Sequence, residues 1–312
     1  MKIALDAMGG DFAPKAVVEG ALLASTKVSS ATQIILIGHT EEIQACLSTN
    51  QTLPDNVTIV HAEQQIEMGE HPLKALSNKP QSSISVGYSL LKKKEIDIFC
   101  SAGNTGAMLV GAMFSVKLDQ VTRPAIMSYV PQLSGKKTVM LDVGANTDCK
   151  PETLNQFGEM GTVYYRHLFD VESPRVALIN LGEEPSKGNL HSQAAYKLLE
   201  ANPKINFVGN IEGRDLFADK ADVLVCDGYI GNVIIKMAES YYEILRDKEF
   251  FDPFFENFNI ESVGGSPILG IDANVMIAHG ISNAHTIKNL VFMAQQIAEA
   301  KIISKLKESL NN

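Results

Sequence analysis

Tryptophan is absent from this chain of 312 residues, cysteine occurs only four times, and basic residues are outnumbered, with 27 Lys and Arg against 36 Asp and Glu. The formal net charge of −9 argues against nucleic acid as a partner, because phosphate backbones recruit basic surfaces. The cysteines (Cys46, Cys100, Cys149 and Cys226) stand singly, and no CxxC pair or Cys/His cluster has the spacing of a zinc site. No metal site is expected. No uncharged apolar run reaches the length of a membrane span, and no charged-then-apolar leader precedes the first strand-like segment. Free thiols without a leader are the pattern of a reducing cytoplasm. The dinucleotide fingerprint G-x-G-x-x-G, the P-loop G-x-x-x-x-G-K-[ST] and the nucleophile elbow G-x-S-x-G are all missing.

What is present is a repeated junction. Five short apolar runs, Ile3–Leu5, Ile96–Phe99, Thr138–Leu141, Val176–Ile179 and Val223–Val225, each stop at a small, polar, glycine-bearing turn. The turns begin at Asp6, Ser101, Asp142, Asn180 and Asp227, and they include Gly9-Gly10, Gly103-Asn104-Thr105-Gly106, Asn146, Ser186-Lys187-Gly188-Asn189 and Gly231-Asn232. Apolar runs of this kind read as strands buried on both faces of an α/β sheet. Glycine lets the backbone approach a ligand, and a following helix points its first N–H groups at an anion. Turns at the ends of neighbouring strands therefore predict one crevice for a small oxyanion, phosphate before others. Each turn taken alone is also explained by ordinary caps and tight turns.

Along the chain the pattern predicts helices from Pro14 to about Val28, Ser82–Lys94, Ala107–Val116, Pro151 to about Phe169, Leu190–Glu200, Asn232–Arg246 and a single long His285–Leu310. Ala125–Val130 and Thr138–Leu141 read as an antiparallel hairpin, which makes the sheet mixed. Glu63–Pro80 reads as an irregular surface loop or lid. Cys100 and Cys226 lie at strand ends and read as buried small hydrophobes, since no general base stands beside either. Five phenylalanines between Phe250 and Phe258, among acidic neighbours, read as an acyl-chain or dimer surface or as core packing, rather than a strong membrane anchor.

The strings DAMGGD (6–11), SAGNTGA (101–107), LDVGAN (141–146), SKGN (186–189), FVGNIEGRD (207–215), CDGYIGNV (226–233), GG-x-P-x-LG (264–270) and AHGISNA (278–284), in this order, resemble the phosphate acyltransferase family PlsX over nearly the whole chain. The resemblance implies a three-layer α/β/α fold with a mixed, mainly parallel sheet, similar to isocitrate/isopropylmalate dehydrogenases and phosphotransacetylases. It implies two intertwined lobes acting as one catalytic unit over residues 1–312. It implies acyl-phosphate formation from acyl-[acyl carrier protein] and inorganic phosphate, the opening step of a route to phosphatidic acid. It also implies a cytoplasmic homodimer with peripheral contact at the inner face of the membrane. Residue by residue, Lys187 and Asn232 become the catalytic pair. Ser101, Gly103, Asn104, Thr105, Gly106, Asn146, Gly264 and Gly265 become the phosphate pocket, with Asp6, Gly9, Gly10 and His279 auxiliary to it. The stretch 247–262 is shorter than the amphipathic hairpin that many members carry there, which weakens the expectation of direct membrane docking.

Hydrogen phosphate is itself a competent nucleophile. The expected reaction is therefore direct attack on the thioester, with no metal, no cofactor and no covalent acyl-enzyme. Lys187 would offset charge and Asn232 would donate to the oxyanion. Two other classes use the same sequence features. One is a metal-dependent decarboxylating dehydrogenase, for which Asp142, Asp222 and Asp227 are available without an arginine-rich loop. The other is a non-catalytic sensor of phosphate or acyl carrier.

Overall fold

The computed structural model describes residues 1–49 and 52–311. In chain order the first elements are β1 (Lys2–Asp6), α1 (Lys15–Ser25), β2 (Gln33–Gly38), α2 (Thr40–Ala45), β3 (Val57–His61), α3 (Pro72–Asn78), α4 (Ser83–Lys92), β4 (Ile98–Ser101) and α5 (Thr105–Ser115). There follow β5 (Ala125–Pro131), β6 (Lys137–Leu141), α6 (Pro151–Phe169), β7 (Arg175–Ile179), α7 (Leu190–Ala201), β8 (Asn206–Ile211), β9 (Val223–Val225) and α8 (Gly228–Asp247). The last are α9 (Ile260–Val263), β10 (Ser266–Leu269), β11 (Asn274–Ile277), α10 (Ala284–Glu299) and α11 (Ile302–Asn311).

The chain forms two compact units. The first comprises Met1–Leu118 and Ile260–Glu299, the second Asp119–Asn259 and Ala300–Asn312. In the first unit the strands run β3-β2-β1-β4-β11-β10. All neighbours there are parallel except β10 with β11. Ile3, Leu5, Ile34, Leu36, Ile98 and Cys100 share a core with Val17, Val18 and Ala21 of α1 and Ile287, Leu290 and Val291 of α10. The alternate residue Phe99 meets the Tyr88 ring of α4 edge to face, with centroids 5.3 Å apart. Strand side chains alternate between faces, so helices cover both sides of these strands. In the second unit the order is β5-β6-β9-β7-β8, with β5 and β6 forming the expected antiparallel hairpin and the other pairs parallel. The architecture is thus α/β with a mixed, mainly parallel sheet and flanking helices.

Three departures from the sequence reading have local causes. Segment 63–80 is not irregular throughout: α3 forms inside it, opened by Pro72 at its first turn and anchored by buried Ala75. Seven residues are too few for apolar periodicity to register. The long carboxyl-terminal helix is two helices. Lys301 takes φ 52°, and the buried positions jump from Ile297 to Ile302 and Leu306, off the stripe that an unbroken helix would continue. Finally, α8 starts four residues before Asn232, because the Asp227 carboxylate accepts the Ile230 N–H and caps it. β10 and β11, short strands around a tight turn, were not expected at all.

The phenylalanine-rich stretch divides. Phe254 and Phe258 stack edge to face on Phe217, with centroids 5.7 and 5.5 Å away, whereas Phe250 and Phe251 are exposed. Among the described residues no helix is long and apolar enough to cross a membrane.

Candidate active site

Parallel neighbours bring their carboxyl ends to one edge, so the turns that follow them meet. In the first unit β1 and β4 are adjacent, and Asp6 and Ser101 close their strands. The Ser101 hydroxyl donates to Asp6 Oδ2 at 2.6 Å and accepts the Gly103 N–H at 2.9 Å, while Met8 N–H donates to Asp6 Oδ1. Gly9 is required here: a Cβ on it would fall 2.4 Å from Asp6 Oδ2 and 2.7 Å from Gly103 N. Burial pushes the Asp6 carboxyl up from its ordinary range, against the hydrogen bonds from Ser101, Ser83, Met8 and Gly9.

The same edge gathers the rest of the predicted first-unit residues. Asp11 N–H donates to Gly280 O at 2.7 Å, beside Gly10 and one residue beyond His279. Ser266 pairs with Ile277, so the Gly264-Gly265 loop starts where β11 ends. Asn104 caps α5 by accepting the Ala107 N–H at 2.9 Å. Its amide nitrogen donates to the carbonyls of Glu67, Met68 and Glu70, at 2.9–3.1 Å. Thr105 and Gly106 open α5, and N–H groups in that first turn have no helical acceptor before them.

In the second unit β6 and β9 are parallel neighbours, and Asp142 organises their turns. Its Oδ1 accepts from the N–H of Ile126, Gly144 and Ala145 at 3.0–3.2 Å. Its Oδ2 accepts the Asn146 N–H at 2.7 Å and the Asn146 side-chain amide at 3.0 Å. Asn146 Nδ2 also reaches Pro124 O. Burial pushes the Asp142 carboxyl up, opposed by these donors, Ala145 and Asn146 foremost. α8 then packs directly on the turn. A Cβ at Gly231 would lie 1.9 Å from Asp142 O, so Gly231 is a close-packing glycine inside a helix rather than a turn residue.

Asn232, one turn into α8, is exposed, and its Nδ2 donates to Val143 O at 3.3 Å. The structure therefore brings Asn146 and Asn232 onto one turn. Lys187 lies on the turn after β7, the strand beside β9. That turn is held by Asn180 Nδ2 on Lys187 O and by Asn210 Nδ2 on Glu184 O. The Lys187 ammonium is exposed, 3.9 Å from Glu184 Oε1. Asn189 caps α7 two residues later. Asp142, Gly231, Asn180 and Asn210 were not expected to organise the site. The readable signal was the Asp-x-Gly-x-Asn run, an acid followed by N–H groups able to fold back on it.

Cys100 and Cys226 are buried and burial raises both thiols, so neither is held as a thiolate. Cys149 is pushed up to about 12, chiefly by burial. Among the described residues no group of three or more His, Cys, Asp or Glu is placed to hold a metal ion.

A family profile described as fatty acid synthesis protein matches residues 1–305. Among curated proteins, the chain is 43% identical to a phosphate acyltransferase of Dictyoglomus turgidum, covering 100% of this chain and 98% of that one. It is 39% identical to a phosphate acyltransferase of Salinibacter ruber, covering 100% and 98%. Among solved structures, a phosphotransacetylase from Streptococcus pyogenes superposes with TM-score 0.67 at 18% identity, covering 95% of this chain and 94% of that one. A 4-hydroxythreonine-4-phosphate dehydrogenase from Klebsiella pneumoniae superposes with TM-score 0.62 at 12% identity, covering 96% and 99%. The fold is thus shared by transferases and dehydrogenases, and the fold alone does not choose between them.

Proposed function

Because the chain belongs to the PlsX family of phosphate acyltransferases, and so is an acyltransferase, we propose that it moves the acyl group of acyl-[acyl carrier protein] to inorganic phosphate at the start of phosphatidic acid synthesis. A phosphate oxygen attacks the thioester carbonyl and forms a tetrahedral oxyanion. Collapse breaks the C–S bond, gives acyl-phosphate and leaves the carrier thiolate to take a proton. No metal, cofactor or acyl-enzyme enters the scheme, and residues 1–312 act as one catalytic unit.

The observation that carries this reading is a difference in commitment. Ser101, Asn104 and Asn146 spend their polar atoms on the fold, whereas Lys187 on its turn and Asn232 near the start of α8 stay exposed. Lys187 offsets charge on phosphate and on the transition state. One N–H of the Asn232 amide goes to Val143 O, and the second is the donor assigned to the oxyanion.

The homodimer is supported by α8, where Val233, Met237, Tyr241 and Ile244 recur at helical spacing and are all exposed. The protein is read as cytoplasmic, with at most weak contact at the inner membrane face. Purified protein, acyl-carrier thioester and phosphate, read by hydroxylamine trapping, test the activity. Phosphate-dependent acyl hydroxamate with EDTA present is the expected result. Loss on chelation, restored by Mg²⁺, overturns the metal-free scheme.

A further inference from the structure

Helices α3, α4 and α5 of the first unit line an open cavity of about 320 Å³ that the scheme above leaves unused. Apolar Leu73, Leu76, Tyr88, Val110 and Phe114 share its wall with Gly111 and the serines Ser77, Ser85 and Ser115. The Tyr88 hydroxyl is committed to the Met108 carbonyl, so the residue offers its ring. At the cavity, Leu73 is 49% and Phe114 74% exposed, two large apolar side chains left in water.

The cavity is built onto the loop assigned to phosphate. Pro72, the first residue of α3, packs against Gly106, where a Cβ would fall 2.4 Å from Pro72 Cγ. The Asn104 amide holds the carbonyls of Glu67, Met68 and Glu70, the segment that leads into α3. Along α5, at about 1.5 Å per residue, Val110 lies about 6 Å and Phe114 about 12 Å beyond Gly106. The groove therefore begins about one helical turn from the amino terminus of α5, the loop assigned to phosphate.

Resting on the acyl-thioester reading, we propose that this cavity receives the distal part of the acyl chain. A straight acyl chain is apolar and makes no hydrogen-bond demand of such a wall. The space is large enough to take several methylenes. Affinity should rise about fourfold per methylene until the cavity fills, then level off.

Two measurements test this. A decanoyl-pantetheine thioester carrying a diazirine near its methyl end is photolysed on the wild-type protein, and the label is mapped. Label on α3 or α5 is expected; label confined to other segments overturns the proposal. Ser77→Phe and Ser115→Phe each narrow the cavity from its wall. They should raise KM for decanoyl-carrier at least about tenfold while leaving butyryl-carrier unchanged. Equal effects on both chain lengths, or none on either, overturn the proposal. If wild-type protein forms acyl-phosphate from neither substrate, the parent reading fails, and the cross-link still decides the cavity.

Discussion

Asp6 and Asp142 hold corresponding places, each the buried acid that ends or follows a central strand and folds a glycine turn over it, but their surroundings differ in kind. Asp6 faces two hydroxyls, of Ser101 and Ser83, besides backbone N–H groups. Asp142 faces only N–H donors, four from the backbone and one from Asn146. A hydroxyl can donate or accept, so the first setting adapts to a change of partner; an N–H cannot, so the second does not. The rigid cage holds the turn onto which Asn232 of α8 donates, and the adaptable one holds the loop that leads to the cavity. On this comparison the second unit fixes its strand-end turn through N–H donors alone, whereas the first holds its own partly through hydroxyls.

The largest expected effect breaks the rigid side. Gly231→Ala drives a methyl into the Asp142 carbonyl and should cost about 4 kcal/mol or more in urea unfolding. Gly213→Ala, with nothing within 4 Å, should stay within about 0.5 kcal/mol. Equal effects would show that contact at Gly231 is relieved by backbone movement.

Asp142→Asn comes next. Whichever way the amide turns, its NH2 faces N–H donors, and a loss of about 3 kcal/mol follows. A variant as stable as the parent would remove the all-donor cage from the account.

Lys187→Ala and Asn232→Ala should each lower kcat about a hundredfold without measurable loss of stability, since both side chains are exposed. The double variant should be much less than multiplicatively worse if both act on one transition state. Near-normal turnover in either single variant takes that residue out of the chemistry.

The smallest effect is expected at Asp6→Asn, within about 1 kcal/mol near neutrality, because Ser101 can reverse its hydrogen bond. Its signature is pH dependence. Burial raises the folded-state pKa of Asp6 above the unfolded value of 3.8. The carboxyl therefore stabilises fully below the unfolded pKa, and that contribution fades as pH rises through the folded one. The stability of the parent relative to Asp6→Asn should accordingly fall with rising pH across that window. A difference that grows with pH would mean that Asp6 is held ionised.

Much of this was legible in sequence, for identifiable reasons. Strands buried on both faces are continuous apolar runs, and β9 matches its run, Val223–Val225, residue for residue. Caps at single turns were legible too: Asn ahead of a helical run has that local use, and Asn104 accepts the Ala107 N–H. Gly231 misled because glycine marks both turns and close contacts, and only the neighbour (here the Asp142 backbone) tells which. The cavity was hidden because its walls come from α3, α4 and α5, and a short helix such as α3 leaves no periodic trace.

The division of the chain into alternating segments bears on its biosynthesis. α1, at residues 15–25, buries Val17, Val18 and Ala21 against α10, at residues 284–299. A growing polypeptide must therefore carry that apolar face uncovered until α10 has been translated. The strands and α6 of the second unit are already out of the ribosome by then. Prematurely terminated products ending before Ala284 should be sticky through α1, and a chaperone bound there would be released only once α10 has emerged.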